Sequence, residues 1–265
     1  MATHDLSVIV PCYNESEGIA AMHARMAAIL PELRRRGSVQ LVFVDDGSSD
    51  GTGDQLAKAF SGWPELLIVR HERNRGLGQA LRTGFAHATG AVIVTCDSDG
   101  TYPFAEIPAL LDLLTPEVDI VTASPYHPSG GIENVPAYRV AISKSASLCY
   151  RLLVDPQIHT YTALFRACRR EVIERVQTSA DGFLMVTELL VEALLAGFRT
   201  VEYPTTLRVR QYGQSKARVF AITRTHLRYM AGLIGRRLGV ALPQHAVGPK
   251  VVRKSVSSAD TMPGA

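Results

Sequence analysis

Short apolar runs and stretches of helical spacing take turns along the first half of the chain. Leu6 to Val10 is an unbroken apolar run closed by Pro11, which predicts a buried strand. Ile19, Met22, Met26, Ile29, Leu30 and Leu33 then recur every three or four residues, as on one face of a helix. Asn14 with Glu17 has the spacing of a capping box for that helix, and Gly37 closes it. Leu41 to Val44 predicts a second strand, Leu66 to Val69 a third, Ala91 to Thr95 a fourth and Ile120 to Thr122 a fifth. Between them lie a helix that Thr52 and Gln55 are spaced to cap, one over Leu77 to Ala88, and one over Ile107 to Leu114. Strands alternating with helices on short connections predict an α/β fold, a mostly parallel Rossmann-like sheet flanked by helices. Ligands of such sheets bind beyond the carboxyl ends of the strands. Helices over Val140 to Val154 and Val186 to Leu195 and a strand over Thr200 to Leu207 are expected in the less regular second half.

Composition narrows the class of protein. Of 265 residues, 46% are hydrophobic and 20% charged, which is a globular balance with material for a large core. A formal net charge of +3 gives no case for nucleic acid. The four cysteines form no CxxC pair, so a zinc site is not expected, and their scatter suits reduced, mostly buried thiols in a cytoplasmic protein. Met1 to Asp5 lacks the basic and apolar regions of a signal peptide. No run reaches the length of a membrane span, so any membrane contact is expected to be peripheral.

The candidate chemistry sits where strands end. Asp97-Ser98-Asp99 follows the fourth strand and Asp45-Asp46 follows the second. Two carboxylates at a strand end can hold a hard divalent cation, Mg²⁺ or Mn²⁺, which keeps substrate phosphate oxygens in its shell. The plainer reading is a solvated loop with helix caps, and Asp50 or Thr52 can cap while Asp46-Gly47 turns. No GxGxxG or GxxxxGK[ST] loop is present, against a Rossmann dehydrogenase or a P-loop enzyme.

Val10-Pro11-Cys12-Tyr13-Asn14-Glu15, Val44 to Thr52, Asn74-Arg75-Gly76-Leu77-Gly78 and Asp97-Ser98-Asp99-Gly100 together resemble the family 2 glycosyltransferases, whose fold is called GT-A. Gly130 to Arg139, Ile142-Ser143-Lys144 and Arg210-Gln211-Tyr212-Gly213-Gln214-Ser215-Lys216 resemble their dolichol-phosphate (polyprenol-phosphate) mannosyltransferase branch. The resemblance covers roughly 6–233. It implies a nucleotide-sugar donor, GDP-mannose or UDP-glucose, and a lipid-phosphate acceptor. Nucleotide contacts are implied at Pro11, Tyr13, Glu15, Asp45, Asp46, Arg75 and Ser98, and diphosphate and metal contacts at Asp97 and Asp99. Acceptor-phosphate contacts are implied at Arg139, Lys144, Arg210, Ser215 and Lys216, so that the catalytic set is Asp97, Asp99, Arg139, Arg210 and Lys216. The sequence departs from that branch at Ser124-Pro125-Tyr126, where Ser-Arg-Tyr is usual, and at Thr101, where a metal-binding Gln is frequent. Thr160 to Phe165 replaces a usual Asp-Pro-x-Ser-Gly-Phe.

The chain divides into a GT-A domain over 1–217, a basic amphipathic helix over 218–242 and a disordered tail over 243–265. On that helix Val219, Ile222, Leu227, Met230, Leu233, Ile234 and Leu238 make an apolar stripe, with Arg218, Arg224, Arg228 and Arg236 mostly off it. Such a helix either lies in a membrane interface, at the cytoplasmic face, or packs on the domain or a second subunit. Glu188, at the start of its helix, is a base if the acceptor is a hydroxyl, and a cap or ion-pair partner if it is a phosphate. The alternatives to lipid-phosphate transfer are a hydroxyl-acceptor transferase and a catalytically weak nucleotide-sugar binding protein.

Overall fold

A computed structural model describes residues 3–210 and 219–239. Seven strands form one sheet in the order β3-β2-β1-β4-β7-β5-β8. These are β1 (His4–Cys12), β2 (Val39–Asp45), β3 (Leu66–Arg70), β4 (Gly90–Thr95), β5 (Ile120–Ser124), β7 (Arg166–Arg169) and β8 (Thr200–Pro204). All neighbours run parallel except β7, which is antiparallel to both β4 and β5. A small second sheet pairs β6 (Gly131–Glu133) with β9 (Thr206–Arg208). The expected strand over Thr200 to Leu207 is thus two strands, parted at Thr205, whose hydroxyl bonds Glu106.

Apolar cores lie on both sheet faces. On one, α1 (Ile19–Arg36), α2 (Thr52–Ala59) and α4 (Ile107–Leu113) bury Met22, Met26, Leu33, Leu56 and Ile107 against Val8, Val10, Leu41 and Phe43. On the other, α3 (Leu77–His87), α5 (Ala137–Leu153), α6 (Arg170–Arg175), α7 (Leu184–Leu195) and α8 (Val219–Arg237) bury Leu81, Tyr150, Val172, Leu190 and Leu233 against Ile9, Val42, Val44 and Ile93. Strand neighbours Val8 and Ile9 therefore serve opposite cores, as the two-residue period of a strand requires. Cys12, Cys96 and Cys168 are buried free thiols and Cys149 is exposed.

The chain starts at β1, moves one way to β2 and β3, then crosses back to β4 on the other side. That reversal is the topological switch point. The β1–β4 register stops at Ile9 opposite Thr95, whereas β1 continues against β2 through Cys12 and Asp45. Pro11 stands beyond the point where β4 leaves, so it lies inside the strand rather than closing it. The split between β1 and β4 opens a crevice directly above the acidic strand ends.

Two expected caps take a different form. Asn14 has a positive φ of 52°, and no side chain caps the short helical turn Ser16–Gly18 before α1. Asn14 instead accepts from Ser49 N at 2.8 Å, its own N–H donates to Ser48 Oγ, and Glu15 N donates to Thr52 Oγ1 at 2.8 Å. These bonds zip the loop after β1 to the loop after β2. Gly51 is the residue before α2, and Asp50 rather than Thr52 supplies the acceptor, taking Thr52 N at 3.0 Å.

α8 has two working faces. His226, Met230 and Leu233 are buried, with Tyr150 Oη and His226 Nδ1 2.9 Å apart. Arg236, expected on a basic surface, instead makes a forked pair with buried Glu192 (2.6 and 3.1 Å), which also accepts from Tyr229 Oη at 2.6 Å. Phe220, Leu227, Ile234 and Leu238 recur at helical spacing on a separate face and are exposed. The basic segment before this helix and the tail expected over 243–265 lie outside the described residues, as do Ser215 and Lys216.

Candidate active site

The crevice is a cleft of roughly 680 Å³, within the range of small-ligand sites, about 300–1,000 Å³. Pro11, Tyr13 and Glu15 enter it from the end of β1, and Asp97, Ser98 and Asp99 from the end of β4. Arg139 from the first turn of α5, Arg208 at the end of β9 and Arg210 just beyond it also line the cleft. One cleft therefore gathers four carboxylates, Glu15, Asp46, Asp97 and Asp99, and three guanidiniums, from segments as far apart in the chain as Glu15 and Arg210.

The geometry of Asp99 is set by its neighbours. Its Oδ1 accepts from Thr101 N (3.0 Å) and Thr101 Oγ1 (2.8 Å). Its Oδ2 accepts from Arg210 Nε at 2.8 Å. The same guanidinium reaches Glu15 Oε1 at 3.1 Å. Thr101 thus orients Asp99, and its carbonyl also accepts from Arg208 N at 3.0 Å. Beneath the loop, Arg25 donates to Ser98 O at 3.3 Å. Burial, then the charge of Asp99 and that of Glu15, push the Asp97 carboxyl well above the usual range, while Arg210 pulls it back. Such a group gains strongly from any further cation beside it.

Several expected nucleotide residues are used differently. Asp46 lines the cleft, yet its Oδ1 accepts from His71 Nδ1 (2.7 Å) and Arg75 N (2.9 Å). Its Oδ2 accepts from Asn74 Nδ2 (2.9 Å) and Gly76 N (2.8 Å). Four donors hold this carboxylate, so it builds the 71–76 loop, and the cleft is met there by Asn74, Gly76 and Leu77. Asp45 is turned away from the cleft and accepts from Ser48 N at 3.0 Å. The exposed Arg75 side chain is also outside the lining, as is Lys144, whose Nζ lies 5.4 Å from the Tyr126 ring centre. Tyr126 itself lines the cleft beside Pro125 and Thr160. Thr160 Oγ1 bonds Ser124 Oγ at 2.9 Å and accepts from Tyr126 N, so the substituted Thr160 segment supports the substituted Pro125 loop.

Arg139 is half-buried, its Nε donating to Tyr138 Oη at 3.1 Å. Arg208 pairs with Glu133 at 3.4 Å across the small sheet. Glu188 lies in the second turn of α7, not at its start, and is absent from the lining of this cleft.

A model of the family described as Glycosyl transferase family 2 matches residues 7–177. Polyprenol monophosphomannose synthase of Mycolicibacterium smegmatis is 36% identical over 219 residues, 79% of either chain. Dolichol-phosphate mannosyltransferase of Pyrococcus furiosus is 33% identical over 80% of this chain, which spans 58% of that longer protein. Among solved structures, glucosyl-3-phosphoglycerate synthase from Mycobacterium tuberculosis, in complex with Mn²⁺, UDP and glucosyl-3-phosphoglycerate, matches with a TM-score of 0.64 at 20% identity. That match covers 90% of this chain and 81% of the other, a likeness of fold.

Proposed function

The chain belongs to glycosyl transferase family 2, and from that premise we propose that it moves a hexose from a nucleotide-diphosphate sugar to a polyprenol-type lipid phosphate. The hexose is mannose in this reading, carried by GDP, because the relatives at 29–36% identity are named for mannose. The observation that carries the reading is that Glu15, Asp97 and Asp99 line one cleft together with Arg139, Arg208 and Arg210. An enzyme joining an anionic acceptor to an anionic donor has to overcome their mutual repulsion, and arginines lining the same cleft do so.

Asp97 and Asp99, with Glu15 close by, are the residues that would hold Mg²⁺ or Mn²⁺. The fit is chemical: all three are hard oxygen donors, and the raised Asp97 carboxyl marks a site short of positive charge. Among the described residues no three His, Cys, Asp or Glu side chains are placed to hold a metal ion together, so the protein would offer the two aspartates, and diphosphate oxygens and water would supply the rest of the shell. When bound, the metal supplies neutralisation of the charge that builds on the departing diphosphate.

In this reading the acceptor phosphate is held by Arg139, Arg208 and Arg210, the three arginines that line the cleft. Guanidinium forks match phosphate oxygens in paired hydrogen bonds. A phosphate oxygen forms the new bond to the anomeric carbon as the bond to the nucleoside diphosphate breaks, with inversion. The attacking oxygen is already ionised, so no base is required, in keeping with the absence of Glu188 from the cleft.

Reaching a lipid acceptor requires a membrane surface. Phe220, Leu227, Ile234 and Leu238 on α8 and Tyr138, Ile142, Leu148 and Leu152 on α5 are exposed large apolar side chains on two packed helices. Arg224 and Arg228 flank the α8 stripe, as in interfacial helices. Among the described residues no helix is long and apolar enough to cross a membrane. We place the protein peripherally on the cytoplasmic membrane face. A thermal-shift panel of GDP-mannose, UDP-glucose and the free diphosphates with Mn²⁺ tests the donor, since the cognate nucleotide raises Tm by mass action. Stabilisation by UDP-glucose but not GDP-mannose would overturn the mannose assignment.

A further inference from the structure

A second cavity lies behind the cleft, between α7, α8 and the loop of residues 178–183. The two spaces share Tyr13, Asn74, Gly182 and Phe183, so the loop's end is the partition between them. Glu188 faces the second cavity, on the far side of that partition from Asp97, Asp99 and the three arginines.

Glu188, on α7, is 1% exposed. Its Oε2 accepts from Ser179 N (3.0 Å) and Ala180 N (2.9 Å), and its Oε1 from Ser179 Oγ (2.9 Å). The preceding loop therefore folds back onto a helix that starts five residues later, and the carboxylate takes the place of a strand partner for two backbone N–H groups. The next residues continue the chain of contacts towards the donor side. Asp181 O accepts from Gly78 N at 2.7 Å, Ala180 O from Arg82 Nη1 at 3.0 Å, and Asp181 Oδ1 from Gln79 Nε2 at 2.8 Å. This approach leaves no room for a side chain at the two glycines around the start of α3: a Cβ on Gly76 would stand 2.5 Å from Asp181 O, and one on Gly78 2.2 Å from Ala180 O. Gly76 is also where Asp46 takes a backbone N–H, and Gly76 and Leu77 line the cleft. A continuous set of bonds thus runs from Glu188 through the loop and the start of α3 to the floor of the cleft.

We propose that Glu188 is a positioning residue, whose carboxylate fixes the 178–183 partition and through it the nucleotide side of the cleft. It does not take a proton from the acceptor. The inference rests on the reading of the cleft as a nucleotide-sugar site, and it explains why a carboxylate is retained here when the nucleophile needs no base. Glutamine is an imperfect replacement: its amide oxygen can keep the Ser179 and Ala180 N–H groups only if the Ser179 hydroxyl turns to accept from the amide NH2, and the bonds lose their charge assistance.

The test compares wild type with Glu188→Gln and Ser179→Ala, the second keeping the charge and removing one of its donors. Calorimetry with GDP and UDP in Mn²⁺ reads nucleotide binding without turnover. Steady-state kinetics across pH read kcat and donor KM. Glu188→Gln is expected to weaken nucleotide binding and raise donor KM by about tenfold, from loss of charge-assisted bonds. Ser179→Ala is expected to shift both the same way by a smaller factor. In both, kcat at saturating donor stays within a few-fold of wild type and its pH profile keeps its shape. A loss of kcat of about a hundredfold or more in Glu188→Gln, with nucleotide binding intact and a limb of the pH profile gone, makes Glu188 a base and overturns the proposal. Wild-type nucleotide binding in both variants overturns it as well. If Glu188→Gln does not fold, the nucleotide affinity of Ser179→Ala decides alone. A wild type that binds nucleotide but ignores polyprenol phosphate would refute the acceptor assignment and leave this inference standing.

Discussion

Replacing Arg210 with alanine removes the cation that sits between Glu15 and Asp99. Its Nε is 2.8 Å from Asp99 Oδ2 and its Nη1 3.1 Å from Glu15 Oε1, with the guanidinium side chain only 24% exposed. Two charge-assisted bonds in a largely enclosed site, less the relief gained when Asp97 takes up a proton, make the loss about 2–3 kcal/mol. For a chain of this size that is a fall in Tm of about 4–10 °C. Mn²⁺ raises stability in both proteins and more in the variant, because there is no guanidinium for it to displace from the acidic side chains. The assay is thermal unfolding at pH 8 with and without millimolar Mn²⁺. Arg210→Ala is expected to be destabilised in chelator and to recover most of the difference in Mn²⁺. Equal Tm values in chelator, or a smaller Mn²⁺ gain in the variant, would refute the reasoning that Arg210 holds the cation position.

Asp99→Asn keeps its shape and its bonds to Thr101 but loses a charge, and is expected to drop transfer at least a hundredfold and to weaken Mn²⁺ binding measured by paramagnetic resonance; unchanged metal affinity would exclude it as a ligand. Glu192→Ala leaves Arg236 and Tyr229 without their buried acceptor, and is expected to cost about 3 kcal/mol in urea unfolding, detaching α8 from α7; a loss under about 1 kcal/mol would place α8 elsewhere. Burial lowers the His226 pKa from 6.5 to about 4. The unfolded chain therefore binds its proton first as pH falls, and stability present above pH 6.5 is lost towards pH 4, by up to about 3 kcal/mol. His226→Gln should flatten that slope in denaturant titrations at pH 7 and 4.5, and an unaltered slope would assign the acid sensitivity to other groups.

Strand ends were the most legible part of this sequence. An apolar run such as Leu41 to Val44 or Ala91 to Thr95 fixes a buried strand, and the acidic residues after it can only emerge at its carboxyl end. β7 was hidden because Arg166-Ala-Cys-Arg169 looks polar; Arg166 is nonetheless buried, its guanidinium donating to Val186 O and Ala163 O. The inward turn of Asp46 was equally hidden, since a carboxylate that binds a ligand and one that binds its own loop have the same letter. Only the fold supplies His71, Asn74 and Gly76 around it. The pairing of Arg210 with Asp99 spans 111 positions, beyond any local pattern. Thr101 could have been found: a hydroxyl two residues after an aspartate is well placed to orient it. On α8 the spacing gave an apolar stripe but not its division into a buried and an exposed face, which depends on what α5 and α7 present.

In the proposed reaction a lipid phosphate, not a hydroxyl, receives the sugar from a donor bound at Asp97 and Asp99. Its most direct test offers purified protein radiolabelled GDP-mannose and Mn²⁺ with polyprenol phosphate or free polyprenol in parallel liposomes, and counts label in the lipid phase. Label in polyprenol phosphate alone, abolished by chelator, is the predicted result. Label in the free alcohol, at or above the level in the phosphate, would contradict the account.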